Sequence, residues 1–292
     1  QIVHPHALAR LLFGGRGHDS YDSGVELRNE RTEVLLVVPT LGQRIEYLRE
    51  TLTSIRDQEV QADVVLVTPQ EAIEARQLAA EFGANVLDDP GGLPAAINLG
   101  VEAYGVDYAF VNWRNDDDLL TPGSLTASTT ALHSRPEATV AFGSCRYIDR
   151  DGQELWVSKA GKWAPRVLSW GPDLIPQPGM LVRAEAWRRV GGLDTSYQLA
   201  FDLDLLLKLK TLGPLVNTGH VVSCFRWHAD SLTVDDRKTN IAESERAKRS
   251  ALSPTARKWA WTWEPPVRLA TRAAAREVQR RARRLSGSTN SR

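Results

Sequence analysis

Cysteine is almost missing from this chain: Cys145 and Cys224 are the only two among 292 residues, and both sit inside apolar stretches. So low a count excludes a disulfide scaffold, and two cysteines placed this way do not make a zinc site. Reduced, buried packing is the first reading of both, with a single disulfide as the alternative, and the cytoplasm is the simplest compartment. Long apolar runs are missing too. The longest, at 34–38 and 64–67, are strand-sized, far short of the roughly 18 residues that cross a bilayer. The opening QIVHPHALARLLFGGRGHDS has no basic flank before an apolar core and no cleavage site, so no secretion signal is expected. Net charge is zero, with 36 basic and 36 acidic residues, yet 265–285 alone holds seven Arg against one Glu. The basic segment therefore has to be read apart from the rest.

An apolar share of 42% with 25% charged residues is ordinary for a soluble globular protein. Residues 1–32 are mixed and glycine-rich without a period and read as a loose arm. A rhythm starts at Glu33. The run 34–38 is a buried strand closed by Pro39-Thr40; Ile45, Leu48, Leu52 and Ile55 then recur at helical spacing, predicting a helix over 43–58. Strands follow at 64–67, 85–87 and 108–111, with helices at 71–82 and 94–104 between them. Strands alternating with helices imply right-handed crossovers and a mainly parallel, Rossmann-like sheet with helices on both faces. Ligands bind such sheets beyond the carboxyl ends of the strands, here the loops after Val38, Val67 and Val111. Beyond Asp118 the rhythm loosens: helix at 122–134, strands at 139–147 and 154–157 around an Asp151-Gly152 turn, strand at 180–182, helix at 201–211, strand at 221–227. No repeat or linker divides 33–235, so it reads as one α/β catalytic domain, and 236–292 as a polar, helical, basic tail.

The sharpest feature is Asn115-Asp116-Asp117-Asp118, in the loop after the fourth strand. Adjacent carboxylates repel one another and resist burial, so they need a cation or a solvated turn. A plain acidic turn capping the next helix is one reading. The position at the carboxyl edge of the sheet favours another, an oxygen-rich Mn²⁺ or Mg²⁺ site facing a diphosphate.

Five segments in order resemble family 2 glycosyltransferases of the glycosyltransferase A (GT-A) fold, the nucleotide-diphospho-sugar transferase fold: VVPT at 37–40, GGLPAAINLG at 91–100, NDDDLLTPGSL at 115–125, FDLDLLLKL at 201–209 and FRWHADSLT at 225–233. The resemblance covers about 34–233. It implies an inverting glycosyltransferase, moving sugar from a UDP-, GDP- or dTDP-linked donor to a glycan or lipid-linked acceptor in cell-envelope or exported glycan assembly. By that resemblance Pro39, Thr40, Thr68 and Asn98 line the donor side with Asn115, Asp116 and Arg226. Asp117 ligates the metal with His228, and Gln177 and Gly179 lie on the acceptor side. Asp202 is the catalytic base, accepting the acceptor's proton as its hydroxyl attacks opposite the leaving diphosphate. Helix capping by Asp202 is the simpler reading of that residue. Asp204 lies two residues on and cannot face the same way.

Three departures stand out. The family's Asp-Asp-Gly-Ser after the second strand is Thr68-Pro69-Gln70, its first DXD carboxylate is the uncharged Asn115, and the Arg before Asn98 is Ile97; apart from these, the Glu before the base is Phe201. Altered donor choice or a weakened enzyme would each follow. Trp156, Trp163, Trp170 and Trp187 offer faces for sugar, of which one or two at most are expected to be used. In the tail, Arg268, Arg272, Arg276, Arg280 and Arg284 recur every four residues, downstream of Trp259, Trp261 and Trp263. Peripheral docking on the inner, anionic face of a membrane is one expectation, and a homo-oligomer contact another. Nucleic acid is not expected, since no reading motif accompanies the charge. The rival readings are a nucleotidyltransferase, for which Pro39-Thr40-Leu41-Gly42-Gln43-Arg44 is a poor phosphate loop, and an inactive nucleotide-sugar-binding scaffold.

Overall fold

The structure is a computed structural model that describes residues 32–158, 161–227 and 237–253, with residues 255 and 258. The expected arm, His228 with Ser231 and Thr233, and the arginine stripe of the tail lie outside the described residues.

Strand β1 (Val34–Pro39) has no polar residue because both its faces are covered. Val34, Leu36 and Val38 enter one hydrophobic layer, while Leu35 and Val37 enter the other. The first layer is closed by α1 (Ile45–Arg56), α2 (Ile73–Glu81) and α4 (Ser124–His133), which contribute Leu48, Leu52, Leu78 and Leu132. The second is closed by α3 (Leu93–Tyr104), α6 (Ala184–Val190) and α7 (Phe201–Leu212), through Ile97, Trp187 and the leucines of α7. A single turn, α5 (Ala164–Val167), adds Ala164 to that layer.

Strands β2 (Ala62–Thr68), β3 (Asn85–Asp88) and β4 (Phe110–Trp113) run parallel to β1, in the order β3-β2-β1-β4. The ladder runs on past the strand ends, with Thr40 N–H on the Val67 carbonyl at 2.9 Å and Arg114 N–H on that of Val37 at 2.8 Å. These bonds bring the carboxyl ends of β1, β2 and β4 to one edge, as the alternating pattern predicts. The second half is mixed. Strand β8 (Met180–Arg183) is antiparallel to both β4 and β6 (Val140–Ile148), whereas β9 (Leu215–Arg226) runs parallel to β6. Strand β5 (Leu119–Leu120) pairs with β9, and β7 (Glu154–Val157) with β6.

The expected elements recur with ends shifted by a few residues; β5, α5 and α6 are additions too short to carry a period. Strand β9 starts earlier than the apolar pattern predicts, because Asn217-Thr218-Gly219 interrupts the pattern without ending the strand. There the β6–β9 register shifts, and a Cβ on Gly143 would stand 2.6 Å from the His220 carbonyl oxygen. The tail begins as a packed element: α8 (Arg237–Ala251) lies on α7 and buries Ala247 in the second layer. No helix among the described residues is long and apolar enough to cross a membrane.

Gly100 sets how close α3 sits to β1, since a Cβ there would stand 2.6 Å from Val37 Cγ1. The clash is with the middle of a buried strand, which cannot yield. Gly100→Ala is expected to lower stability by about 1–3 kcal/mol, the usual cost of overpacking a core. Urea unfolding checks this, and a loss below about 0.5 kcal/mol would show that α3 shifts at little cost.

Candidate functional site

The acidic loop leaves β4 at the sheet edge, and its three carboxylates are all buried: Asp116 is 5% exposed, Asp117 6% and Asp118 0%. Each is compensated differently. Asp116 accepts the Thr40 hydroxyl at 2.6 Å and Arg44 Nη2 at 2.5 Å. Asp117 accepts Arg44 Nη1 at 2.6 Å. Asp118 turns inward, accepting the Asn115 amide at 3.0 Å and the Arg226 backbone N–H at 3.4 Å. Burial is the main reason the Asp116 carboxyl is pushed up, against the bonds from Thr40 and Arg44 that favour its ionised form. Burial and the charge of Asp117 push Asp118 far up as well. The Thr40 hydroxyl also accepts the Gly42 N–H at 3.0 Å, so the β1 turn and the acidic loop form one unit beside the buried Pro39.

Arg226, expected on the donor side, sits among protein partners. Its side chain is 1% exposed, and its donors go to Glu50, to the Arg150 carbonyl at 2.7 Å, and at 3.4 Å to the carbonyls of Asp149 and Asp117. The guanidinium also lies 4.2 Å from the centre of the Tyr47 ring. This fork joins β9, α1 and the acidic loop. The Asn98 amide donates to the Leu193 carbonyl at 2.8 Å and accepts the Leu193 N–H at 2.9 Å, which ties α3 to the turn after α6. Thr68 is fully buried with its hydroxyl unpartnered, so what lies at the end of β2 is the loop beyond it. There Gln70 donates to Asp88 Oδ2 at 2.7 Å and Arg76 pairs with the same carboxyl, the two holding Asp88 below the usual carboxylate range. A carboxylate thus stands beside the β2 loop after all, supplied by β3.

On the other side of β4, Gln177 donates its amide to the Trp113 carbonyl at 3.0 Å, and buried Arg114 donates to the Pro178 carbonyl. These bonds fix the 177–179 turn against the strand end that carries the acidic loop. Gly179 packs closely within it, where a Cβ would stand 3.2 Å from Val222. Arg114, which the sequence did not single out, is pulled down to about 10 by burial, with the charge of Asp118 opposing.

Phe201, in the place of the family's Glu, packs its ring 6.1 Å from that of Trp113 and so holds the start of α7 at the end of β4. Asp202 is half-buried there and accepts the Leu203 N–H at 2.7 Å, and burial pushes its carboxyl up to about 6. Asp204 points elsewhere: it is buried and pairs with Lys208, one turn along, at 2.7 Å. Sequence reasoning missed Asp173. It is exposed, in the segment between α5 and β8. Neighbouring protein first, and the charge of Asp202 second, push its carboxyl up, while the Ile175 N–H and the charge of Lys248 oppose. The entry to α7 is fastened from outside by Glu243 of α8, whose carboxylate accepts the N–H groups of Gln198, Leu199 and Ala200 at 2.8–3.1 Å.

Trp187 is core and Trp156 stacks on Tyr147 at 4.4 Å, whereas Trp163 and Trp170 are exposed, Trp163 with the Arg166 guanidinium 4.2 Å from its ring centre. Both cysteines are free and buried, and burial pushes the Cys145 thiol up to about 12. Among the described residues, no three His, Cys, Asp or Glu gather as metal ligands. The oxygens of Asp116 and Asp117 nevertheless converge on one positive group, Arg44, and a hard-oxygen set already neutralised by a cation fits Mn²⁺ or Mg²⁺.

No family model and no curated protein matches the sequence. Solved structures do match in fold. TarS from S. aureus, residues 1–349 in complex with UDP-GlcNAc, superposes with a TM-score of 0.59 at 13% identity, over 77% of this chain and 69% of that one. The mannosyltransferase PcManGT from Pyrobaculum calidifontis, in complex with GDP-Man and Mn²⁺, superposes with a TM-score of 0.55 at 16% identity, over 90% of this chain and 81% of that one. The fold is therefore of the GT-A type that the sequence led us to expect.

The Asp173–Asp202 pair has a pH signature. Both carboxyls are raised on folding, so the stability they contribute is present in acid and is lost as pH rises through the folded values, near 6 for Asp202. Asp173→Asn removes one charge of the pair. It is expected to raise the melting temperature at pH 8 relative to the parent and to leave it nearly unchanged at pH 4.5. A gain equal at both pH values would show that the two carboxyls do not interact.

Proposed function

We propose that this chain is a glycosyltransferase that takes a sugar from a nucleoside diphosphate donor and passes it, with inversion, to an acceptor hydroxyl. The observation that carries the reading is the junction of Thr40 with Asp116, which sets the β1 turn and the Asp116–Asp117 pair side by side at the carboxyl edge of a parallel sheet. The fold likeness to TarS with UDP-GlcNAc and to PcManGT with GDP-Man and Mn²⁺ supports a nucleotide-sugar donor.

Asp116 and Asp117 would hold a Mn²⁺ or Mg²⁺ ion, which neutralises charge that grows on a leaving diphosphate. The turn at Pro39-Thr40 lines the nucleotide side. The loop of Gln70 with Asp88 faces the base, where its departure from the family pattern bears on which base is read. Asp202, at the start of α7, takes the proton from the acceptor hydroxyl. As that O–H bond breaks, the oxygen bonds to the anomeric carbon from the face opposite the diphosphate, which leaves with the electrons of the old glycosidic bond. A carboxyl lifted to about 6 is a stronger base than an ordinary aspartate and is still largely ionised at neutral pH. Asp173 feels the charge of Asp202, so the two carboxyls belong to one electrostatic group at the start of α7.

With a turned-over donor, released nucleoside diphosphate is the expected product; released pyrophosphate would mark a nucleotidyltransferase instead. Asp202→Asn is expected to cut transfer by about 10²–10⁴-fold, the usual contribution of a general base, with donor affinity nearly unchanged. Asp204→Asn, which breaks the pair with Lys208, should act on stability and spare transfer. Loss of transfer in the second variant and not the first would move the base to Asp204.

A further inference from the structure

Arg44 is the last residue of the loop between β1 and α1, and its carbonyl accepts the Leu48 N–H at 3.0 Å in the first turn of that helix. Its side chain crosses the mouth of the acidic loop. Nη2 lies 2.5 Å from Asp116 Oδ1 and Nη1 lies 2.6 Å from Asp117 Oδ2, so one guanidinium spans two carboxylates. The burial is lopsided: the Asp116 and Asp117 side chains are 7% and 9% exposed, and that of Arg44 is 39% exposed. The acids are held by their loop and by Thr40. The base approaches from solvent on a flexible stem, so of the three it is the group able to leave.

A guanidinium and a divalent cation drawn to the same two carboxylates repel one another and compete for their lone pairs. As it stands, the trio carries one excess negative charge. Exchanging Arg44 for a divalent cation would leave the two carboxylates neutralised and release the guanidinium from them, beside the position a diphosphate would take. The guanidinium fork matches phosphate oxygens as well as it matches carboxylates. We propose that Arg44 is a resident counter-cation: it holds the Asp116–Asp117 pair while no donor is bound, competes with a divalent cation for that pair, and passes to the donor diphosphate when cation and donor enter together. This inference deepens the donor reading above and rests on it for its last step. It makes the free site a poor metal binder by construction, so that cation and donor are taken up together.

The test is Mn²⁺ alone, titrated into the full chain and followed by the paramagnetic resonance signal of the free ion. Arg44→Gln is expected to bind Mn²⁺ about tenfold more tightly than the parent, a difference of about 1.4 kcal/mol. Arg44→Lys, which keeps a charge without the fork, should stay near the parent. Adding Asp117→Asn to Arg44→Gln should abolish the gain. If Arg44→Gln binds Mn²⁺ no more tightly than the parent, the proposal is overturned. Should that variant be poorly folded, the rise in its melting temperature on adding Mn²⁺ is read instead; a rise no larger than the parent's overturns the proposal equally. At saturating Mn²⁺, UDP and GDP are then titrated. About tenfold weaker binding of one of them by Arg44→Gln is the expected result, and undiminished binding removes the transfer step. Should neither nucleotide bind the parent, the donor reading fails, while the Mn²⁺ comparison still decides the competition.

Discussion

Three successive carboxylates at the end of an interior strand must lose their water without losing their compensation, and much of the site follows from how that is met. Chain geometry sends neighbouring side chains in different directions, so one cation cannot serve all three. Asp118 goes inward and is answered by Asn115, the Arg226 backbone and the charge of Arg114. Asp116 and Asp117 go outward and share Arg44. An inward set of bonds makes the loop rigid, and an outward pair under one exchangeable cation makes it usable. Buried charge of this kind is poor evidence of stability, since apolar residues would serve as well or better. Its presence at a sheet edge argues for a task.

The same division separates what was legible in the sequence from what was not. Strands β1 and β2 are runs of Val and Leu, and α1 carries Leu48, Leu52 and Ile55 on one stripe; burial requires those patterns, so they show in the letters. The acidic loop was legible because its chemistry lies in adjacent residues. The protein partners of Arg226 were not legible, because they lie on the distant Glu50 and Arg150. Those of Asn98 were hidden for a similar reason, its partner Leu193 lying 95 residues away. Arg44 and Asp173 were missed as site residues because each gains meaning only from a charge brought to it by the fold.

Helix α8 links the far end of the described chain to the chemistry. Glu243 gathers three N–H groups at the entry to α7, the Arg246 guanidinium lies 3.7 Å from the centre of the Tyr197 ring, and Lys248 donates to the Gly171 carbonyl at 2.6 Å. These contacts grip both segments that present the paired carboxylates, the loop of Asp173 and the first turn bearing Asp202. The start of the basic tail is thereby a clamp on the entry to α7, whose first turn bears Asp202.

The central claim is that the pair Asp116–Asp117 beside Thr40 receives a nucleotide sugar together with a divalent cation. The most direct measurement is thermal unfolding against a panel of UDP-, GDP- and dTDP-sugars, each with Mn²⁺ and with chelator. A true donor at about 100 times its dissociation constant should add about 2.7 kcal/mol of stability, and only when the metal is present. Stabilisation by nucleoside triphosphates with none from any nucleotide sugar, or by a sugar donor equally with and without metal, would contradict the account.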